Sequence, residues 1–429
     1  MIRTLVKLED ILEVNPSSWS KKEGWTYLRY LDTANITNGR INEIVTFDTK
    51  TDKIPSRARR IVQNGDFVYS TVRPNQKHFG LLKNIEDNLV VSTGFAVLRS
   101  KYPEDFDTRF IYLLVTQDFI TNYLHGIAEN NTSAYPALRP QDITDLEFEI
   151  PPISDQKLIA DFIENLDDKI ELNQKMNHTL EEIAKAIFKS WFVDFDPVRA
   201  KAEGRPTGLP PEISDLFPDE LVDSEIGEIP KGWGVVNLKA ISTNRSKSVK
   251  PDQMSDFPSY VGLEHVPRGH IFLSSWGNPV DVESNKTAFE QGDILFGKLR
   301  PYFEKCVIAP QSGVCSTDIV AIEPNADAQI FVACFISQKR FFEFTSQGST
   351  GTRMPRTSWK HMCEYDFALP CSELLETFQS FVAPMIQKGM VSICENDSLA
   401  ELRDTLLPKL ISGELRIPDA EKFLEEAGI

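Results

Sequence analysis

Two stretches of the chain carry one phrase: "NGDFVYSTVRP" at Asn64–Pro74 and "QGDILFGKLRP" at Gln291–Pro301. The Gly-Asp pair and the Arg-Pro pair recur at one offset, 227 residues from Gly65 to Gly292. Between the two pairs lie mostly apolar residues of the kind that form a strand, bounded by turn-forming Gly and Pro. The phrase therefore predicts that one small strand-and-turn structure occurs twice in the molecule.

The similarity between the two copies continues beyond this phrase. Ser92 and its neighbour Thr93 recur at Ser316 and Thr317, and Pro151 recurs at Pro370. The offset falls to 219 residues by Pro151 and Pro370 and then holds toward the end of the chain. Each copy therefore has a diverged first part and a better-preserved last part, which predicts an internal pseudo-two-fold repeat.

The preserved part of each copy predicts a long helix. Neither Pro nor Gly interrupts residues 153–196, whereas Pro384, Gly389 and Pro408 predict a kinked or broken second helix. Each apolar seam could pack on its own globular half. We expect the two seams to pack against each other, because a long lone helix needs a partner for its stripe. The predicted seam residues are Ile159, Phe162, Leu166, Met176, Leu180, Ile183 and Ile187, and Phe378, Phe381, Met385, Leu399, Leu402, Leu406 and Leu410. The polar Lys169 and Asn173 fall on the first seam as well and weaken its middle.

The diverged part of each copy holds short apolar runs broken by turn residues, which predicts a compact α+β domain. A segment rich in Pro and acidic residues follows the first helix and predicts a partly ordered linker. The predicted division is two globular domains at 1–150 and 231–370, two helical regions at 151–196 and 371–416, a linker at 197–230 and a tail at 417–429.

The net charge of −17 at first argues against a nucleic-acid partner. Its distribution weakens that argument, because residues 151–230 hold 18 Asp and Glu against 8 Lys and Arg. The two globular domains are close to neutral and contain local basic clusters. Either domain could therefore present a basic face that the overall charge conceals.

Several other functions are unsupported by the sequence. No G-x-x-x-x-G-K-[ST] phosphate loop, G-x-S-x-G nucleophile motif or methyltransferase active-site motif is present. The six cysteines lack C-x-x-C spacing, and the pair His265 and His270 alone makes a poor metal site, so reduced thiols and no metal are expected. The chain has no long apolar run and no signal peptide, so a cytoplasmic location is expected.

Three segments carry a family resemblance: "PPISDQKLIADFIENLDDKIELNQKMNHTLEEIAKAIFKSWFVDFDPVRAKAEG" (151–204), "GLPPEISDLFPDELVDSEIGEIPKGW" (208–233) and "LRDTLLPKLISGELRI" (402–417). With them, the whole chain resembles the specificity subunit of a type I restriction–modification system. The resemblance implies an α+β protein with two globular α/β target-recognition domains. Two long helices forming an antiparallel coiled coil would separate them. Each domain would read one half of a bipartite, asymmetric duplex DNA target.

The resemblance also implies partners. The helices would dock two methyltransferase subunits, which would carry S-adenosylmethionine and the adenine methylation. Restriction subunits with translocase and nuclease activity could join through them. This chain would hold no cofactor and would not itself be an enzyme.

Candidate DNA contacts are basic and small polar residues near the repeated phrase and in polar loops, since basic groups bind phosphates and polar side chains read base edges. Each has a structural alternative: the turn arginines could close local salt bridges, and the basic clusters could be solvated faces or ordinary turns. The candidates are Arg57, Arg59, Arg60, Arg73, Asn75, Lys77, Asn131, Thr132, Tyr135, Arg245, Lys247, Lys298, Arg300, Tyr302, Thr350, Thr352 and Arg353.

Four aromatic residues in "FKSWFVDF" exceed what one helix seam can bury. We expect Phe188, Trp191, Phe192 and Phe195 to bind a methyltransferase subunit, with burial under the linker as an equal alternative. Two other functions stay open at this point. One is a coiled-coil scaffold or decoy that binds methyltransferase subunits without reading DNA. The other is a self-contained DNA enzyme, which the missing motifs disfavour.

Overall fold

A computed structural model of the chain describes residues 3–130, 136–351 and 354–427. The chain divides into two compact units. Unit 1 comprises Met1–Asp168 and Leu399–Ile429, and unit 2 comprises Lys169–Ser398. Each unit therefore contains one predicted globular domain together with parts of both predicted helical regions.

Unit 1 is an α/β structure with twelve short strands in its described residues. Its first helices are α1 (Leu8–Ile11), α2 (Thr108–Val115), α3 (Asp118–Asn130) and α4 (Pro140–Thr144). Its strands are β1 (Thr4–Lys7), β2 (Leu12–Val14), β3 (Tyr27–Leu31), β4 (Ile36–Thr37), β5 (Arg40–Ile41), β6 (Val45–Asp48), β7 (Ala58–Ile61), β8 (Phe67–Ser70), β9 (Phe79–Leu81), β10 (Leu89–Ser92), β11 (Phe95–Ser100) and β12 (Glu147–Ile150).

The strands of unit 1 form two four-stranded sheets, in the orders β6-β3-β10-β7 and β2-β11-β8-β9, and two pairs, β1-β12 and β4-β5. One pair inside the first sheet, β10 with β3, is parallel. Apolar residues of both four-stranded sheets share one core, which includes Leu31, Val91, Val68 and Val97. A second buried cluster lies around Trp19, Leu28 and Tyr30.

After unit 1's globular domain the chain continues through α5 (Ile153–Phe192), α6 (Asp196–Ala202) and α7 (Pro211–Ser214). The later helices are α8 (Gln329–Ile336), α9 (Lys339–Gln347), α10 (Trp359–Met362), α11 (Ser372–Ser412) and α12 (Ile417–Ala427). The later strands are β13 (Leu221–Ser224), β14 (Gly227–Pro230), β15 (Gly234–Val236), β16 (Ser242–Asn244), β17 (Ser248–Val249), β18 (Tyr260–Val261), β19 (Lys286–Phe289), β20 (Ile294–Gly297), β21 (Cys306–Ile308), β22 (Gly313–Cys315), β23 (Ile319–Pro324) and β24 (Phe367–Leu369).

Unit 2 repeats the strand order of unit 1. Its sheet β16-β23-β20-β21 corresponds to β2-β11-β8-β9, and its pair β15-β24 corresponds to β1-β12. In its second sheet, β18 and β22 are parallel and β19 is antiparallel to β22, as β3, β10 and β7 are in unit 1. The outer strands β6 and β17 are matched in the other unit only by isolated bridges, Tyr260 with Gly277 and Ser18 with Arg60. The repeat in the sequence is therefore a repeat of topology.

The two long helices also begin at equivalent positions, Ile153 and Ser372, 219 residues apart. The predicted break in the second helix is absent, because α11 is continuous through Pro384 and Pro408, both exposed. Gly389 has a packing role: a Cβ there would lie 2.3 Å from Cζ of Phe272. Glycine is required because an aromatic ring from the globular part of unit 2 rests on the helix backbone.

The seam of α5 differs from the predicted one in its second half. The structure buries Asn173, Asn177, Glu181 and Ala184, while the predicted Ile183 is 40% exposed. The amide N–H groups of the seam have partners: Asn173 Nδ2 donates to Asn396 Oδ1 at 2.9 Å, and Asn177 Nδ2 donates to the Gly389 carbonyl at 3.2 Å. The predicted seam includes Asn173 but not Asn177 and Glu181, because apolar periodicity does not register polar residues.

The second seam is shifted in the same way. Phe381 is 46% exposed, whereas Val382 and Ile386 are buried beside the predicted Phe378. Within unit 2, residues early in α5 contact residues late in α11, and Phe188 near the end of α5 contacts Phe378 near the start of α11. The two helices therefore run antiparallel in this unit. Within unit 1, Arg403 Nη1 of α11 donates to Asp167 Oδ1 of α5 at 2.7 Å.

The aromatic run expected at a partner surface is buried in unit 2. Phe188, Trp191, Phe192 and Phe195 have at most 8% of their surface exposed. Trp191 packs edge-on against Phe217 of the linker, with ring centroids 5.3 Å apart. The prediction that these residues bind a methyltransferase subunit is wrong, because they form part of the core. The alternative, burial under the linker, is the arrangement in the structure.

Other expectations concern thiols, metals and membranes. Four cysteines are buried and two, Cys371 and Cys394, are exposed, and none is in a disulfide. Among the residues that the structure describes, no cluster of His, Cys, Asp and Glu could hold a metal ion. His270 instead contacts Glu181 of α5. None of the described helices combines the length and apolarity needed to cross a membrane.

Candidate nucleic-acid interface

The repeated phrase forms the same local structure in both units. Gly65 and Gly292 each have φ of +88°, a conformation that favours glycine. The aspartates that follow them, Asp66 and Asp293, are buried, with 1% and 3% of their surface exposed. In each case the carboxylate accepts a hydrogen bond from a backbone N–H three residues earlier, at 2.8 Å. The Gly-Asp pair therefore closes the turn before β8 and before β20.

Each buried aspartate also forms an ion pair, but the arginine comes from a different strand. Asp66 accepts two hydrogen bonds from Arg99 of β11, at 2.7 and 2.8 Å. Asp293 is bound by Arg245, which follows β16, at 2.5 Å. The position equivalent to Arg99 in unit 2 is Glu323, which binds Arg245 at 3.1 Å. The Gly-Asp half of the phrase is therefore a folding element. Two carboxylates engage the guanidinium of Arg245, so this residue has a structural role, and a DNA contact at Arg245 stays a prediction.

The Arg-Pro half of the phrase forms a strained turn. Arg73 and Arg300 have φ of 48° and 51°, in the left-handed region, and each precedes a proline that opens a short 3-10 helix. A non-glycine residue is uncommon in this region, and a following proline further restricts its backbone. Such strain persists where the surrounding structure enforces it, and it is concentrated at functional sites. We name these two segments, residues 71–78 and 298–305, the RP turns.

Each RP turn is anchored to a polar loop that the sequence had also selected. The Arg73 N–H donates to the Pro136 carbonyl at 3.0 Å, and the Arg300 N–H donates to the Pro355 carbonyl at 2.8 Å. The predicted contact Thr350 is exposed and pairs with Arg356 in this loop. The structure thus brings two predicted elements together in each unit. Five predicted residues lie outside the described residues: Asn131, Thr132, Tyr135, Thr352 and Arg353.

The exposed side chains of the two RP turns differ although their backbones match. Asn75 and Gln76 of unit 1 occupy the positions of Tyr302 and Phe303 in unit 2. Lys77 Nζ lies 2.6 Å from Asp118 Oδ1, so DNA would have to replace this carboxylate. Such an exposed ion pair contributes little stability and can exchange partners. The constant backbone with changed side chains is the arrangement expected of a common scaffold that presents different recognition groups.

The basic cluster of unit 1 is divided between two faces of β7. Arg57 and Arg59 are exposed, and Arg59 also donates to the Ser56 carbonyl at 3.3 Å. Arg60 is partly buried; its Nε has no hydrogen-bond partner within the described chain, and burial lowers its pKa. Alternation along the strand explains the split, since neighbouring side chains point to opposite faces. Arg57 and Arg59 remain suited to phosphate contacts.

In unit 2 two of the predicted DNA contacts, Arg245 and Lys298, line one groove. The groove has a volume of about 350 Å³ and is lined by Asn244, Lys298, Thr357 and Trp359, among others. Lys298 belongs to the RP turn, and Lys247 is exposed on the chain just before β17. This is a polar, basic surface beside Arg300, whose Nε is buried without a hydrogen-bond partner among the described residues. Its guanidinium is therefore not neutralised by a described carboxylate.

Sequence reasoning did not select two exposed apolar residues beside this turn, Phe303 and Met354. They are 38% and 47% exposed. The signal that could have found Phe303 is its position in the repeat, where the other copy has a polar Gln76. Met354 gave no signal, because single apolar residues in loops are common.

Residues 4–182 match the family described as "Type I restriction modification DNA specificity domain". Over these residues the chain is similar to a type I restriction–modification DNA specificity domain, and over most of its length it is similar to type I restriction enzyme specificity subunits.

Two individual proteins are similar in sequence to this chain over most of its length. The Type I restriction enzyme HindI specificity subunit of Haemophilus influenzae is 29% identical, covering 90% of this chain and 94% of its own. The Type I restriction enzyme MjaIX specificity subunit of Methanocaldococcus jannaschii is 26% identical, covering 84% and 80%. The crystal structure of a type I restriction–modification S subunit from M. genitalium is 15% identical with a TM-score of 0.53, over 95% of this chain and 96% of that one. This likeness concerns the fold alone.

Proposed function

We propose that this chain recognises duplex DNA for a type I restriction–modification complex, with each unit reading one half of a bipartite, asymmetric target. The observation that carries the proposal is the pair of RP turns. They share a strained backbone, an arginine and a proline, and differ in their exposed side chains. Phosphate contacts from a shared scaffold would place each unit on DNA, and the differing side chains would select different bases.

The target should be asymmetric because the two units present different chemistry. Asn75 and Gln76 offer amides suited to the N6 and N7 edge of adenine, whereas Tyr302 and Phe303 offer aromatic rings. Arg73 and Arg300 would each contact a phosphate. A symmetric target would require equivalent side chains at equivalent positions.

The two long helices are proposed to form an antiparallel coiled coil that docks two methyltransferase subunits. With the aromatic run buried, other residues must supply the docking surface. Exposed apolar side chains on the helices of unit 2 are suited to it, because apolar groups left exposed mark binding surfaces. They are Leu172 at 63%, Ile183 at 40%, Phe381 at 46% and Val391 at 52% exposure.

Catalysis is proposed to reside on the partners. The methyltransferase subunits would bind S-adenosylmethionine and methylate adenine, and restriction subunits with translocase and nuclease activity could join through them. The relatives named above are specificity subunits, which supports a recognition role for this chain. The complex is expected to work in the cytoplasm, where its DNA substrate lies.

A scaffold or decoy that binds methyltransferase subunits without reading DNA is the second candidate. The net charge of −17 favours it, because a strongly acidic protein is repelled by phosphates at long range. The exposed Arg57, Arg59 and Lys247 and the partly exposed Lys298 oppose it, since they give the near-neutral globular domains local positive charge.

Salt dependence separates the two candidates. For the chain assembled with a type I methyltransferase subunit, we expect target affinity to fall on the order of 10³-fold between 50 and 200 mM salt, as about six neutralised phosphates would require. Fluorescence anisotropy with labelled duplex measures this slope. A complex that assembles but binds the duplex no better than the methyltransferase alone would instead support the scaffold.

A further inference from the structure

Three exposed apolar side chains lie at and beside the RP turn of unit 2. Tyr302 and Phe303 are 48% and 38% exposed, with ring centroids 4.8 Å apart, and Met354 is 47% exposed. Met354 belongs to the loop whose Pro355 carbonyl accepts the Arg300 N–H. The three residues therefore belong to two segments that are tied together by a backbone hydrogen bond.

The turn holds the two rings on a rigid base. Arg300 is locked in the left-handed region, Pro301 fixes the next φ, and the Phe303 N–H donates to the Arg300 carbonyl at 2.9 Å. The 3-10 helix of residues 301–303 packs on α9. A flexible loop could fold its aromatic residues back onto the protein, whereas this turn keeps them in solvent.

Exposure of these rings is not a requirement of the fold. Unit 1 builds the same turn, with the same left-handed arginine and the same packing on its helix α3, and carries Asn75 and Gln76 instead. The aromatic pair is therefore specific to the surface that unit 2 presents. Exposed aromatic residues in contact with each other mark a binding surface.

The charges around the rings favour a polyanion. Arg300 and Lys298 belong to the same turn, and both are partly exposed. The turn contains one carboxylate, Glu304, which lies 4.0 Å from Arg268. Apolar side chains flanked by basic residues are the means by which proteins separate stacked base pairs, with the basic residues binding the flanking phosphates.

We propose that Tyr302 and Phe303, supported by Met354, form a wedge that unstacks one base step in the half-site bound by unit 2, whereas unit 1 leaves its half-site stacked. This rests on the proposed function, because it assumes that both RP turns face DNA. The wedge selects deformable pyrimidine–purine steps, TA or CA/TG, because these unstack at the lowest energy. Specificity at that step would then come from DNA deformation as well as from base-edge contacts.

The test uses the whole complex with a methyltransferase subunit and the target duplex. 2-Aminopurine replaces each adenine in turn except the two that are methylated, because a methyltransferase flips its target base out of the stack; its fluorescence rises when it unstacks. We expect a rise at one step in one half-site only. Tyr302→Ala with Phe303→Ala should abolish that rise and weaken target binding about ten- to a hundredfold, the range for losing base–aromatic contacts.

Matched variants make the result specific. Asn75→Ala with Gln76→Ala changes the equivalent positions of unit 1 and should leave the fluorescence rise intact. Tyr302→Phe keeps the ring and should retain both the rise and the affinity. A mismatch placed at the unstacked step, which lowers the cost of unstacking, should restore most of the affinity of the double alanine variant.

Two results would overturn the wedge while leaving DNA recognition standing. One is tight target binding by the unmodified complex with no fluorescence rise at any position. The other is a rise that persists in the double alanine variant. Absence of sequence-dependent DNA binding by the unmodified complex would instead remove the proposed function, and the wedge with it.

Discussion

Reversing both turn arginines, by Arg73→Glu with Arg300→Glu, should weaken target binding by about two to four orders of magnitude. Each change removes a charged hydrogen bond to phosphate, for which about 1.5–3 kcal/mol is typical, and places a negative charge against the DNA. Fluorescence anisotropy of the assembled complex at low salt measures the loss. The salt slope should also become shallower, because fewer counterions are released.

The control for this variant changes the net charge by the same amount at one residue in the linker and one residue directly after it. Arg205 and Lys231 are 59% and 62% exposed and pair only with exposed glutamates among the described residues. Arg205→Glu with Lys231→Glu should therefore leave affinity within about threefold, since such pairs contribute little. Equal losses in the two double variants would indicate that only net charge matters and that the RP turns have no particular role.

The second large effect concerns stability and the buried Asp293. Arg245→Met should lower the free energy of unfolding of unit 2 by about 3 kcal/mol, because it leaves a buried carboxylate without its cation. Removal of one partner of a buried ion pair usually costs about 3–5 kcal/mol. The lower end applies because the side chain of Arg245 is 28% exposed. Chemical denaturation monitored by tryptophan fluorescence measures the change.

The same variant should show a defined pH dependence. Burial raises the pKa of Asp293 even with Arg245 present, and loss of the arginine should raise it further. A carboxyl group whose pKa is higher in the folded state than in the unfolded state disfavours folding when it is ionised, and protonation removes this cost. The deficit should therefore shrink as the pH falls from 8 toward 5, and a deficit independent of pH would contradict the role of the charge.

Two further variants isolate the ion pair. Arg245→Asn with Glu323→Arg installs the arrangement of unit 1, where Asn15 and Arg99 hold the equivalent positions, and should recover most of the stability. Arg356→Met breaks a more exposed pair with Asp318, at 2.9 Å, and should cost less than about 1 kcal/mol. If the exchange failed to recover the stability, the strand that supplies the arginine would matter as well as its charge.

Repetition in the sequence predicted the largest features of the fold because it reports on both copies at once. The constant 219-residue offset located both long helices, and the first of them lies at Ile153–Phe192 within the predicted 151–196. The repeated phrase located both turns. The phrase could not show that Gly65 and Asp66 have a folding role whereas Arg73 is exposed, because all three residues are kept in both copies.

Features that depend on partners distant in the sequence were predicted less well. Asn177 and Glu181 lie in the buried seam although they are polar, because Asn177 donates to the Gly389 carbonyl and Glu181 accepts from the Ile271 N–H, and periodicity does not register such contacts. Phe192 was expected at a surface because its core partners, Phe331 and Phe378, lie far along the chain. The ion pair of Arg245 was not predicted, because nothing nearby in the sequence marks Asp293 as its partner.

The most direct test of the central claim is base-resolution methylation mapping. DNA from cells that carry this chain with a type I methyltransferase subunit is compared with DNA from cells that carry the methyltransferase subunit alone. The account predicts a bipartite, non-palindromic motif with one methylated adenine in each half, present only with this chain. Identical methylation in the two samples, with the complex shown to assemble, would contradict DNA recognition and favour a scaffold or decoy.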